Sequence, residues 1–284
     1  MTTRTLIEAE ALEPLLGSRR LRLFDCRFDL ARPESGRQRY LDEHLPGAVY
    51  ADLNRDLSRP ATPTSGRHPL PAPEVFAARL REWGVNDDSL VVAYDDGNGM
   101  YAARLWWMLR WLGHDDTAVL DGGMRRWIQL GLPTSDEVPA TVHGNFVARP
   151  QPRLAVSADE VLFAARDPSA RVLDARAPER YRGEVEPIDK VAGHVPGARN
   201  HPFTLSLDDQ GRFLPPGQLR TALAARLDDV APERTIAYCG SGVTACHLLL
   251  AMEHAGLAGA RLYPGSWSEW SSDPARPVAT GPEP

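Results

Sequence analysis

The sequence predicts an α/β protein of two tandem domains, each a mainly parallel sheet flanked by helices. Three observations predict it. A set of landmarks recurs in the same order in both halves of the chain. Short β-branched apolar runs alternate with segments of helical length. A proline-rich polar stretch divides the halves.

The first half opens with Leu21-Arg22-Leu23-Phe24-Asp25-Cys26-Arg27, then Glu43-His44-Leu45-Pro46-Gly47-Ala48. The second repeats this as Arg171-Val172-Leu173-Asp174-Ala175-Arg176 and Gly193-His194-Val195-Pro196-Gly197-Ala198. Leu90–Tyr94 then corresponds to Thr235–Tyr238; both runs are too short for helices and read as buried strands. Ala102–Leu112 and Thr244–Ala255 have helical length and composition and follow them. Leu120-Asp121-Gly122-Gly123, closing on Trp127, matches Tyr263-Pro264-Gly265-Ser266, closing on Trp270. Between the halves, Leu132–Arg153 carries Pro133, Pro139, Pro150 and Pro152, the composition of an ordered but extended linker. The expected organisation is a first domain over 1–135, a linker over 136–153 and a second domain over 154–284.

The 284 residues are 43% hydrophobic and 25% charged, which suits a soluble globular protein. A net charge of −6 argues against a nucleic-acid-binding surface, so a small anionic substrate needs locally placed arginines. Lys190 is the one lysine. Cys26, Cys239 and Cys246 form no even framework and no Cys-x-x-Cys pair, which predicts free thiols in a reducing compartment. Met1–Glu8 lacks a leader-like apolar run, and no segment approaches membrane-spanning length; a cytoplasmic location is expected. The sequence carries no metal-ligand cluster, no dinucleotide fingerprint and no phosphate-binding loop with a lysine, so no cofactor and no metal are expected.

In a parallel sheet, chemistry gathers at the carboxyl ends of strands, in the turns that lead to helices. Cys239-Gly240-Ser241-Gly242-Val243-Thr244 falls there. Gly240 and Gly242 open backbone angles closed to other residues, so successive amides can turn toward one point. The following helix adds its unpaired N–H groups and positive dipole end. A thiolate at that focus is stabilised as a nucleophile, and a persulfide there meets the same donors. Cys246 and Cys26 read instead as small buried hydrophobes. In the first half the position of Cys239 holds Asp95, followed by Asp96-Gly97-Asn98-Gly99. A carboxylate cannot carry a sulfane sulfur, so the first domain is expected to be non-catalytic and to form one wall of a cleft.

These motifs resemble the tandem rhodanese family along essentially the whole chain. The Cys-Gly-Ser-Gly-Val-Thr loop is similar to that of 3-mercaptopyruvate sulfurtransferases; thiosulfate-preferring rhodaneses carry Arg and Lys where this chain has Gly240 and Ser241. The resemblance implies two rhodanese-like domains, the second catalytic. It implies that Cys239 takes sulfur from a small anionic donor, 3-mercaptopyruvate before thiosulfate, and holds it as a persulfide. The persulfide then passes to a thiol such as thioredoxin, to a small thiol or to cyanide. Arg180, in Glu179-Arg180-Tyr181-Arg182-Gly183, matches the arginine that holds the substrate carboxylate. The loop residues Gly240, Gly242, Val243 and Thr244 complete the implied substrate site. Ser241 and His68 match two members of a serine–histidine–aspartate relay that polarises the carbonyl or protonates the leaving enolate. For a histidine in the Pro-rich loop Gly66-Arg67-His68-Pro69-Leu70 the ordinary expectation is a solvated position, and the first domain would have to present it across the cleft.

Two positions depart from the family pattern. The relay aspartate falls at Asn54, between Asp52 and Asp56, and a second substrate arginine falls at Ile188, with Lys190 or Arg182 as its candidate substitute. His44 and His194 recur in both halves and read as structural, as does Arg176 beside Asp174. A phosphatase or arsenate reductase would place an arginine six residues after its cysteine; Ala245 stands there. A persulfide carrier or redox-sensing module is the non-enzymatic alternative.

Overall fold

The computed structural model describes residues 5–284, so the first four residues of the N-terminal segment considered above lie outside it. The chain forms two compact units. One takes in the residues up to Arg59, with Leu70–Gln151 and Asp209–Phe213. The other takes in Pro60–Pro69, Pro152–Asp208 and Leu214–Pro284.

In the first unit, β1 (Leu6–Ile7), β2 (Leu21–Asp25), β3 (Ala48–Tyr50), β4 (Leu90–Tyr94) and β5 (Thr117–Leu120) form a sheet in the order β1-β5-β4-β2-β3. Every pairing is parallel, with Leu23 opposite Val92 on one side and Ala48 on the other. Helices α1 (Ala9–Leu12), α2 (Glu34–Asp42), α3 (Pro73–Glu82) and α4 (Ala102–Trp111) connect the strands, and α5 (Gly123–Gln129) follows β5. The fully buried β4, Leu-Val-Val-Ala-Tyr, is the apolar run that a strand covered on both faces requires. Tyr94, Leu120, Met124 and Trp127 build one core with Leu23 and Val92. Each such side chain contributes roughly 1.5–3 kcal/mol on burial.

The second unit repeats the plan. Strands β6 (Arg171–Asp174), β7 (Arg199–Asn200), β8 (Thr235–Tyr238) and β9 (Arg261–Leu262) lie in the order β7-β6-β8-β9, again all parallel. Ala155 bridges Leu262 as β1 does β5. Its helices are α6 (Ala158–Ala164), α7 (Pro178–Tyr181), α8 (Pro216–Leu227), α9 (Thr244–His254) and α10 (Ser266–Trp270). Helix α6 starts on a capping box between Ser157 and Glu160, and α7 and α8 start on prolines, which fit a first helical turn.

The recurring Asp-x-Arg and His-x-Pro-Gly-Ala motifs are structural in both units. Arg27 grips Asp25 at 2.6 Å and donates to the Glu43 carbonyl; Arg176 grips Asp174 at 2.7 Å and donates to the Gly193 carbonyl. Each arginine thereby ties a strand end to the segment that carries the histidine. His44 stacks on Tyr40 and His194 on Tyr181, and each backbone pairs with a distant segment, at Ser135 and Ala279. Burial keeps the His194 imidazole below the usual histidine range.

Candidate active site

Strand β8 has a neighbour on each side and delivers Cys239 to the carboxyl end of the sheet, where it is 2% exposed. Helix α9 begins at Thr244, one residue after Val243, so the turn between strand and helix is tight. Two backbone bonds pin it to α10: Trp267 N–H donates to the Cys239 carbonyl and Ser268 N–H to that of Gly240, both at 2.9 Å. Ser266 works from the same place. Its hydroxyl accepts the Cys239 N–H at 3.1 Å and donates to the Tyr263 carbonyl at 2.9 Å. To do so it holds φ at 53°, a left-handed backbone that costs a non-glycine residue energy and marks an over-determined position.

Gly242 has φ of 79°, and a Cβ there would lie 2.5 Å from the Pro264 carbonyl oxygen. Only glycine fits. Its N–H points at the Cys239 sulfur, 3.2 Å away, which is the donor geometry a thiolate or persulfide needs. The Cys246 thiol donates to the Gly242 carbonyl at 3.1 Å, so this buried cysteine braces the loop from below.

Ser241 Oγ lies 2.7 Å from His68 Nδ1, with both residues buried. His68 is buried beside the loop of Cys239, where an arbitrary histidine of a proline-rich loop would be solvated. Pro60–Pro69 folds within the second unit, so His68 belongs to the unit of Cys239 itself. Arg67 N–H donates to Ser268 Oγ at 3.0 Å, and Gly66 lies so close to the Gly265 carbonyl that a Cβ would meet its oxygen at 2.5 Å. Gly66, His68 and Pro69 are buried there, while residues 60–64 stay exposed.

Arg180 lies on α7 and donates to Glu186 through Nε at 3.2 Å and Nη2 at 2.7 Å, and to Asp189 at 3.3 Å. Arg67 pairs with the other oxygen of Asp189. Both guanidiniums converge on Gly240: a Cβ there would be 2.9 Å from Arg67 Nη2 and 3.4 Å from Arg180 Nη1. Arg67 thus brings a second cation to Gly240, while the chain has no cation at Ile188. Ile188 is exposed, Arg182 pairs with Glu184 at 2.7 Å, and Lys190 is exposed. Sequence reasoning missed Arg67, and its one signal was adjacency to His68. Burial raises the Asp189 carboxyl above its ordinary range against the pull of Arg67. Burial opposes the charged form of Glu186 too, but the Arg180 hydrogen bond and the N–H groups of Asp189 and Ile188 hold it below the usual range.

The first unit shows the same turn closed on itself. The Asp95 carboxylate accepts the N–H groups of Gly97 and Gly99 at 3.0 Å, Tyr101 at 2.9 Å and Ala102 at 3.3 Å. An internal anion fills the ring of donors. A cavity of about 310 Å³ beside it is lined by Phe28, Arg39, Asp96 and Tyr101, among others. Asp52 and Asp56 are engaged in a local turn of this unit, where Asp52 caps the N–H groups of Asn54 and Arg55 and Asp56 accepts that of Asp52. Among the described residues no cluster of histidine, cysteine and carboxylate suits a metal ion, and no helix is long and apolar enough to cross a membrane.

The rhodanese-like domain family matches this chain twice, over residues 8–130 and 157–273. The probable 3-mercaptopyruvate sulfurtransferase of Pseudomonas aeruginosa is 48% identical over 283 residues, covering 99% of this chain and all of that one. A putative thiosulfate sulfurtransferase of Mycobacterium tuberculosis is 41% identical over 266 residues, 91% of this chain and 90% of its own length. The crystal structure of the Escherichia coli 3-mercaptopyruvate enzyme SseA superposes with a TM-score of 0.81 at 34% identity, covering 94% of this chain and 100% of the other. The chain belongs to the rhodanese family, with a rhodanese-like domain in each half.

Proposed function

We propose that the protein is a 3-mercaptopyruvate sulfurtransferase with Cys239 as its nucleophile. The observation that carries the reading is the 2.7 Å contact between Ser241 and His68 in the loop of Cys239. Thiosulfate releases sulfite and needs no proton at a carbon. Mercaptopyruvate releases an enolate, and a serine–histidine pair beside the leaving group serves that step.

In the proposed reaction the Cys239 thiolate attacks the sulfur of the donor. A sulfur–sulfur bond forms, the carbon–sulfur bond breaks, and its electron pair passes into the enolate of pyruvate. The proton of the donor thiol ends on the former thiomethylene carbon through Ser241 and His68, giving pyruvate and the anionic persulfide. Gly242 N–H, with Val243 and Thr244 leading into α9, faces that charge. Arg180 and Arg67 hold the donor carboxylate over Gly240, which has no side chain in their way. A thiol then accepts the outer sulfur and returns Cys239 as thiolate; cyanide does the same and leaves as thiocyanate. The acceptor class is a protein thiol such as thioredoxin or a small thiol. The proposed setting is the cytoplasm, where Cys26, Cys239 and Cys246 stay reduced.

The name of the mycobacterial relative favours a second reading, thiosulfate as donor. Steady-state formation of thiocyanate from each donor with cyanide separates the two. The expected result is a higher kcat/KM for 3-mercaptopyruvate, and a clear preference for thiosulfate would reverse the assignment. No transfer from either donor, with Cys239 still open to alkylation, would leave a carrier or redox-sensing module.

A further inference from the structure

Asp189 sits between the two arginines that face Gly240, one carboxylate oxygen on each. Glu186 balances Arg180 from the other side at 2.7 Å and also touches Arg176, which is itself balanced by Asp174. Arg67, Arg180, Glu186 and Asp189 therefore sum to zero before any donor arrives. Each guanidinium still turns one nitrogen toward Gly240, Nη2 of Arg67 and Nη1 of Arg180, but their charge is already offset.

We propose that Asp189 is a specificity-determining residue, one that holds the donor site near neutrality so that it accepts a single carboxylate and rejects a dianion. The inference rests on the proposed sulfurtransferase reading and deepens it. Coulomb energy scales with the charge of the ligand. A carboxylate beside the site therefore opposes thiosulfate with twice the energy it opposes a monoanion at the same distance, and a twofold ratio of energies is a squared ratio of binding constants. Ile188, which precedes it in the chain, is exposed and adds no cation, and Lys190, which follows, is exposed to solvent.

The test is Asp189→Asn, which keeps the shape and removes the charge, with Asp189→Glu as the charge-retaining control. Equilibrium binding of pyruvate and of thiosulfate is measured in a Cys239→Ser background, so that no turnover is needed. Asp189→Asn should tighten pyruvate by about 10-fold and thiosulfate by about 100-fold, the square, for one charge removed a few ångströms away. Asp189→Glu should keep the wild-type ratio of the two. An equal change for both ligands, in either direction, would reduce Asp189 to a structural brace, and a relative loss of thiosulfate binding would contradict the proposal outright. Because the readout is binding, failure of the donor reading shows separately, as absent thiocyanate formation by the intact enzyme.

Discussion

Ser241 and Cys239 are two residues apart in one turn, yet their proposed tasks are separable. Cys239 makes and breaks bonds to sulfur; Ser241, 2.7 Å from His68, serves the leaving carbon. Ser241→Ala should therefore lower kcat with 3-mercaptopyruvate by about 10²–10⁴-fold, the usual worth of a positioned acid or base. The thiosulfate–cyanide reaction should stay close to wild type. Paired steady-state assays check this, and an equal loss with both donors would show that Ser241 shapes the loop and carries no proton. The cysteine, its glycines and Ser241 were legible in the sequence because one short turn contains them all. Arg67 was not, since nothing local tells a guanidinium held in an ion pair from a solvated one; its partner Asp189 is 122 positions away along the chain.

At the scale of the element, the strand-to-helix turn occurs twice with opposite contents. After β8 the Gly242 N–H faces sulfur; after β4 four N–H groups face the Asp95 carboxylate. The second arrangement is self-contained, so the expected effect of Asp95→Ala is on folding and not on turnover. It leaves buried donors without their acceptor and should destabilise the protein by about 1–3 kcal/mol. Urea unfolding with an unchanged kcat/KM is the predicted pair of results. Unchanged stability would mean that water replaces the carboxylate at no cost. The repeat made this contrast visible from sequence, since Asp95 aligns with Cys239 and cannot hold a sulfur. The left-handed Ser266 was less visible: the first unit has Gly123 there, at φ 52°, and the pattern alone does not tell that a serine keeps the same backbone to hold the Cys239 N–H.

At the scale of the molecule, the two-domain repeat was readable from recurring landmarks, and the central strands from their short apolar runs, because parallel strands covered on both faces must be short and apolar. The assignment of Pro60–Pro69 to the second unit and Asp209–Phe213 to the first was not. Those segments are held by contacts remote in sequence, such as Arg67 N–H on Ser268 and Phe213 N–H on the Asp121 carboxylate. Stability of the whole should also depend on pH through His201, which is 1% exposed. Burial pushes its imidazole down to about 4 from 6.5. The unfolded chain then binds a proton between those values that the folded chain does not, so stability is complete above the unfolded value and falls as the pH drops through the window. The loss amounts to ~3 kcal/mol. His201→Gln should flatten the unfolding free energy between pH 7 and pH 4 relative to wild type, as read by urea titrations at several pH values. An unaltered slope would assign the acid sensitivity to other groups.

Between donor and acceptor the sulfur is proposed to rest on Cys239. Mass spectrometry of the protein after 3-mercaptopyruvate and before any acceptor answers this directly, with proteolysis to locate the adduct. One added sulfur atom on the peptide that contains Cys239, lost on addition of cyanide and absent in Cys239→Ser, is the predicted result. A sulfur carried by Cys26 or Cys246, or pyruvate released with no sulfur on the chain, would contradict it.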